Sequence, residues 1–356
     1  MVRLTRAQQQ ARTRDAVVAA ARQEFIEHGY GAAKVDRIAE RAELTRGAVY
    51  SNFSGKRALY LAVLVDLVDR AAGDVAVERP GTVAEALGAF ARVWLERLPL
   101  AHDVDAGGRL QLRSLAGIVE DDAGRAVLAQ LARLEALLLA LGLESCADDG
   151  ARRVRLAELA LTMLGGSSLL AELTPGFGDP FDRSRACAHL AGLDLADNWA
   201  PPHLAYVTPA TPVHQDWAPP AQLLDQISGT PADLTADGVV VVLGAQRLGA
   251  VEEAVRSGEP VTVVVVTSDP AELGQLVRLR VRDALSCLGS VFPLRTWERL
   301  RLVIDDAAQV AAAVGVSDAT DTTEVAVRIH AGAVVARAEG HGAAHAVATG
   351  QAVRVD

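Results

Sequence analysis

The sequence predicts a multidomain chain: an all-α part over residues 1–200, a connection over 201–220, and an α/β domain over 221–356. Three observations predict this. Up to about residue 200, apolar residues recur at three- and four-residue spacings in segments rich in Ala, Leu, Arg and Glu, which is a helical pattern. Beyond 220, β-branched runs appear, VVVVL at 239–243, VTVVVVT at 261–267, RLVI at 301–304 and EVAVRI at 324–329, and helical stretches alternate with the first three. Between the two parts lie six of the chain's fourteen prolines, Pro201, Pro202, Pro209, Pro212, Pro219 and Pro220. Proline breaks helices and removes donors from strand ladders, so 201–220 reads as a semi-extended linker.

The N-terminal elements follow in order. A first helix is expected from Arg6 to His28, with Val17, Ala20, Ala21 and Phe25 on one face, and Gly29-Tyr30-Gly31 stops it,. A short second helix, Val35 to Ala42, turns Val35, Ile38 and Ala39 inward. Glu43-Leu44 makes the turn. Thr45 is placed to cap a third helix over Arg46–Asn52,. That helix points Ala48 and Val49 at the core, with Phe53 just beyond, and leaves Thr45, Arg46, Tyr50 and Ser51 outside. Gly47 and Ala48 are small enough to let it pack closely on the preceding helix. A fourth helix begins at Gly55-Lys56-Arg57 after Ser54. Two short helices joined by a tight turn form a helix-turn-helix, whose second helix fits a major groove.

Further helices are expected over Thr82–Leu98, Leu110–Ile118, Arg125–Leu141 and Ala151–Leu173. The last two are long and apolar. Gly165-Gly166 inside the last one is costly unless another helix approaches it closely.

Charge divides the chain unevenly. Residues 1–60 hold eleven basic and six acidic side chains, a net of +5. The remainder holds twenty-four against thirty-nine, a net of −15, which gives the overall −10. A basic head on an acidic body points to an anionic partner for the head alone. The three cysteines, Cys146, Cys187 and Cys287, are far apart and form no CxxC, so a disulfide framework or a cysteine-based zinc site is not expected. No run of consecutive apolar residues reaches about 18, and the polar start MVRLTRAQQQ does not read as a signal sequence,. A cytoplasmic protein with no membrane partner is expected.

The segment FIEHGYGAAKVDRIAERAELTRGAVYSNFSGK at 25–56 resembles the DNA-binding domain of the TetR family of transcriptional regulators. The likeness covers about 50 residues. It lies in the glycine turn, the Ile38-Ala39 pair, the Thr45-Arg46-Gly47-Ala48-Val49-Tyr50 stretch, and the exit through Asn52, Phe53 and Lys56. One departure is Ala33-Lys34, where many members place a Thr or Ser cap. The resemblance implies a helix-turn-helix domain over 1–60 and a helical ligand-binding and dimerisation domain over 61–200. It further implies a homodimer on a palindromic double-stranded DNA operator, a small-molecule effector, and repression rather than enzymatic activity. By the same resemblance, Thr45, Arg46, Gly47, Tyr50, Ser51, Asn52 and Lys56 contact DNA. Arg3, Arg6, Arg12 and Arg14 read either as an arm on the DNA or as a solvated tail. Family members build a four-helix dimer interface from their last two helices. The effector pocket has only weak candidates, Trp94, Arg109, Arg113 and Met163, with His102 and Gln111 beside them.

The order of elements beyond 220 is similar to a thioredoxin-like or peroxiredoxin-like fold, and the resemblance extends to Asp305-Asp306, Val314-Gly315-Val316 and Val327-Arg328-Ile329-His330-Ala331-Gly332-Ala333-Val334-Val335-Ala336-Arg337. Such a fold carries its cysteine just after the first core strand, at a helix start. Here that place reads Leu243-Gly244-Ala245-Gln246-Arg247-Leu248-Gly249, with no cysteine and no phosphate-loop spacing. Cys287 sits in an apolar context and reads as buried and inert. His341 and His345 have the spacing of a helical metal pair, yet no carboxylate or third ligand is evident nearby in the sequence, with His330 the one further histidine considered. No metal and no cofactor is therefore expected. The alternatives for 221–356 are a redox or other enzymatic domain and a protein-interaction module.

Overall fold

The structure is a computed structural model, and it describes residues 5–71, 79–96, 115, 117–174, 176–195, 197 and 201–349. The helical part runs α1 (Arg6–Ala32), α2 (Val35–Arg41), α3 (Arg46–Tyr50), α4 (Lys56–Ala71), α5 (Val83–Glu96), α6 (Asp122–Glu144), α7 (Val154–Leu173) and α8 (Pro180–His189). The expected helix over Leu110–Ile118 lies mostly outside the described residues. Helix α1 runs four residues past the expected stop, but it is broken where the glycine turn was placed: Gly29 has φ +69° and ψ 168°.

Beyond residue 200 the chain builds a six-stranded mixed sheet in the order β1-β6-β5-β2-β3-β4. The strands are β1 (Thr211–Asp216), β2 (Gly238–Gly244), β3 (Val261–Val266), β4 (Leu300–Ile304), β5 (Glu324–His330) and β6 (Ala333–Glu339). Strands β2, β3 and β4 are parallel neighbours, and β5 and β6 form an antiparallel hairpin beside β2. Four helices join them: α9 (Val251–Val255), α10 (Leu273–Gly289), α11 (Gln309–Ala313) and α12 (Ala343–Thr349). The four β-branched runs became strands β2 to β5, and the hairpin forms where Ala331-Gly332 turns.

Part of the expected linker is strand. Thr211–Asp216 pairs antiparallel with β6, with an irregularity between Pro212 and Gln215. Proline is tolerated because β1 is an edge strand, where the missing donor faces away from the ladder.

Side chains alternate across the sheet with period two. Val240, Val242, Val264, Val266, Val303, Val327 and Ile329 cover one face, where Trp217, Leu234 and Val310 of α11 close a small core. Val239, Val241, Leu243, Val261, Val263, Val265, Leu300, Leu302 and Ile304 point to the other face. That second core does not stop at the sheet. It is continuous with the cores of the helical body and of the head.

The continuity runs through α10, which packs on both α4 and α6. Arg280 on α10 makes a two-pronged pair with the buried Glu135 of α6, at 2.9 and 2.7 Å. Trp297 donates its indole N–H to the carbonyl of Leu138, at 3.1 Å. The Phe292 ring lies against Gly142, where a Cβ would stand 2.8 Å from the ring. Arg282 pairs with Asp69 of α4, and Arg57 at the start of α4 reaches Glu272 at 3.4 Å. The sheet domain is thus braced against the helix that leaves the head.

This packing explains α6. It is long and apolar enough to cross a membrane by length and composition, yet most of its apolar stretch is buried inside the fold. A helix that is apolar around its circumference is usually a buried one. Helix α6 is therefore largely covered by its own chain.

Candidate nucleic-acid interface

The helix-turn-helix rests on a small core. Val17, Ala21 and Phe25 of α1 pack with Ile38 and Ala39 of α2, Val49 of α3 and Phe53, all nearly inaccessible to solvent. Helix α2 lacks a side-chain cap at Lys34, as the Ala33-Lys34 departure foreshadowed. The buried Glu24 replaces it by accepting from the Lys34 amide at 3.1 Å and from the Arg37 guanidinium at 2.6 Å. Burial pushes the Glu24 carboxyl up, but these bonds outweigh it and hold it below the usual carboxylate range,.

Glu43 turns the chain at φ +54°. Thr45 then caps α3: its hydroxyl accepts from the Ala48 amide at 3.2 Å,. Val49 anchors α3 inward, so the opposite side of the helix faces solvent. Arg46 is 62% exposed; it pairs with the equally exposed Asp36, at 3.2 Å, and engages Tyr50, with its guanidinium 5.5 Å from the centre of that ring. An ion pair exposed at both ends is worth little, so Arg46 can exchange Asp36 for an anion at small cost. Tyr50 is 42% exposed.

The remaining residues of the expected set divide in two. Ser51 and Asn52 both donate to the Ala48 carbonyl, at 2.9 and 2.8 Å, and so finish the helix. Lys56 donates to the Gly31 carbonyl at 3.1 Å and lies 4.7 Å from the centre of the Tyr30 ring; burial lowers its pKa. Gly47 is exposed, and a Cβ there would meet only the Thr45 hydroxyl, at 3.8 Å. Its smallness does not serve packing on α2, contrary to the expectation; it leaves the outer surface of α3 low.

Three of the four N-terminal arginines lie on α1. Thr5 and Gln8 form a reciprocal capping box, so Arg6, Arg12 and Arg14 belong to α1. Arg14 turns back onto the head, donating to the Asn52 carbonyl at 3.0 Å and covering the Phe53 ring. Arg3 lies outside the described residues.

Of the effector candidates, Arg109 and Arg113, with His102 and Gln111, lie outside the described residues. Trp94 and Met163 are partly buried against the core, and the Trp94 indole donates to Ser168 of α7 at 3.4 Å. A cleft of about 260 Å³ lies elsewhere, between α6 and the sheet domain, lined by Leu141, Arg152, Glu259, Arg295 and Trp297 among others. Cys287 is fully buried within α10, away from the place after β2 where a redox cysteine would sit.

Residues 17–63 match the sequence profile of the bacterial regulatory proteins of the tetR family. Over 56 residues the chain is 45% identical to the HTH-type transcriptional activator FasR of Mycolicibacterium smegmatis. That match covers 16% of this chain and spans about a quarter, 26%, of FasR. Among solved structures, a TetR transcriptional regulator from Rhodococcus sp. RHA1 is 20% identical, covering 53% of this chain and 99% of that one with a TM-score of 0.33. NalD, the secondary repressor of the MexAB-OprM multidrug efflux pump in Pseudomonas aeruginosa, is 19% identical, covering 53% and 98% with a TM-score of 0.36.

Proposed function

Since the head of this chain carries a DNA-binding domain of the TetR family, we propose that the whole protein is a homodimeric, ligand-responsive transcriptional regulator. It holds a palindromic double-stranded operator and releases it when a small molecule binds the helical body. The observation that carries this reading is the outward face of α3, with Arg46 and Tyr50 exposed on a helix fixed from within by Val49.

In this reading Arg46 and Tyr50 reach base edges, with Thr45 and Gly47 allowing close approach. Ser51 and Asn52 contribute from the end of the helix. Lys56 swings from the Gly31 carbonyl to a phosphate. Arginine suits the reading role because its planar fork matches guanine and phosphate. The acidic remainder of the chain, at −15, repels DNA and confines contact to the heads.

A second copy is the occupant proposed for the outer face of α7. Leu159, Leu169 and Leu170 are exposed there, and Gly165 and Gly166 open onto empty space. Phe177 and Phe181, near the start of α8, are exposed as well. In this reading α7 and α8, the last two helices of the helical part, supply the interface. Two heads then read half-sites about one helical turn apart.

For residues 221–356 the order β6-β5-β2-β3, with β2 and β3 parallel and the hairpin antiparallel beside them, supports the thioredoxin-like reading of the fold. The buried position of Cys287 supports a bracing role over a redox one.

Mobility shifts of the full chain on its own upstream DNA test the proposal. Arg46→Ala should weaken binding and relax base preference. Lys56→Ala should weaken binding to all sequences alike and lower the salt slope by about one. Full affinity and preference in Arg46→Ala would overturn the reading. Repression is the expected sign; FasR is named an activator, and a reporter that loses expression on deletion of the regulator would place this chain with it.

A further inference from the structure

Outside the head, three segments of the C-terminal part bring ionisable side chains together. His203 lies in a 3-10 turn over Pro202–Tyr206, Glu253 in α9, and His341 just before α12. One ligand atom from each lies within 4.8 Å of the other two. The His203 Nε2 and a Glu253 oxygen are already 3.1 Å apart. The His203 and His341 rings stack with centroids 3.9 Å apart.

The electrostatics of Glu253 are unfavourable as they stand. It is 6% exposed, and its second oxygen is buried with no hydrogen-bond partner. The adjacent cation, Arg247, is committed to Glu324 at 2.9 Å. A buried, half-satisfied carboxylate is costly unless a cation completes it.

We propose that His203, Glu253 and His341 form a binding site for a divalent transition-metal ion of the zinc class. Two imidazole nitrogens and one carboxylate suit zinc, nickel or cobalt rather than magnesium or calcium, which prefer all-oxygen shells. Ligands about 2.0–2.1 Å from a tetrahedral ion stand roughly 3.3 Å apart. The His203–Glu253 pair meets that spacing, and the exposed His341 closes the set by turning its side chain.

The spacing of His341 and His345 does not itself make the site. His341 precedes α12 (Ala343–Thr349) rather than sharing its face with His345. His330 is elsewhere, paired with Asp237 at 2.9 Å. The second cluster of this kind among the described residues, Glu24, Glu27 and His28, already has the guanidiniums of Arg37 and Arg41 in place of an ion. The proposed ion would clasp the 3-10 turn to the sheet domain, where Gly342 already meets Val207 so closely that a Cβ would stand 2.2 Å from it.

The test uses the full chain without a histidine tag, stripped with chelator and titrated calorimetrically with zinc alone. One zinc per chain, with a rise in Tm, is expected. His341→Ala, at an exposed position, and Glu253→Gln should each weaken zinc binding by at least the roughly 10–100-fold that loss of an outer-shell partner costs. His341→Ala should leave the metal-free circular dichroism unchanged, which separates ligand loss from misfolding. No stoichiometric zinc binding, unchanged affinity in His341→Ala, or equal competition by magnesium would each overturn the proposal. None of these outcomes depends on DNA binding.

Discussion

Phe292→Ala probes the shared core. The ring is 1% exposed, it sits over Gly142 of α6, and it meets Trp297 edge-on at 6.1 Å between centroids. Gly142 exists to admit it. Removing a buried phenyl ring costs about 3–5 kcal/mol through lost burial and the cavity left behind. Because the sheet domain, α6 and α4 share one apolar cluster, that loss should appear on both sides of the contact. At ~1.4 kcal/mol per decade, amides that open through this unit should exchange roughly 10²–10⁴-fold faster. The assay is hydrogen exchange read by mass spectrometry on peptides covering α6 and α10. Parallel loss of protection in both helices is expected. Loss confined to the sheet domain, with α6 still protected, would refute a common core.

Leu169 is 56% exposed on the outer face of α7, so Leu169→Asp should convert a dimer to a monomer in sedimentation, with subunit stability changed by less than about 0.5 kcal/mol; a monomeric parent protein would contradict this. In metal-free protein, burial lowers the pKa of both His341 and His345, with Arg247 and His203 adding to the first and His203 to the second. The folded state then binds fewer protons than the unfolded state, so stability is full above the unfolded value of 6.5 and falls as pH drops below it,. Tm measured from pH 7.5 to 5 should decline, and His341→Ala should flatten the decline.

The head was legible because its signals are local. Caps, the Glu43 turn and the inward positions Ile38, Ala39 and Val49 are all set within a few residues of sequence. The β-branched runs were legible for the same reason, since alternation across a doubly covered sheet needs only their own residues. What the sequence hid is long-range. The edge strand β1 depends on β6, more than a hundred residues away, and proline density masked it. The bracing of α4 and α6 by α10 rests on pairs such as Glu135–Arg280. The histidine–glutamate cluster draws on residues 203, 253 and 341, so no motif spacing could reveal it. Arg14 looked like a free charge because the cation–π contact with Phe53 exists only once α1 and α3 have packed.

The central claim is that the +5 head reads DNA as one of a pair. Binding-site selection from a random duplex library by the full chain tests it most directly. The account predicts enrichment of an inverted repeat with half-sites about one helical turn or a multiple apart, abolished or broadened by Arg46→Ala. Failure to enrich any sequence, or the same site selected by Arg46→Ala, would contradict it.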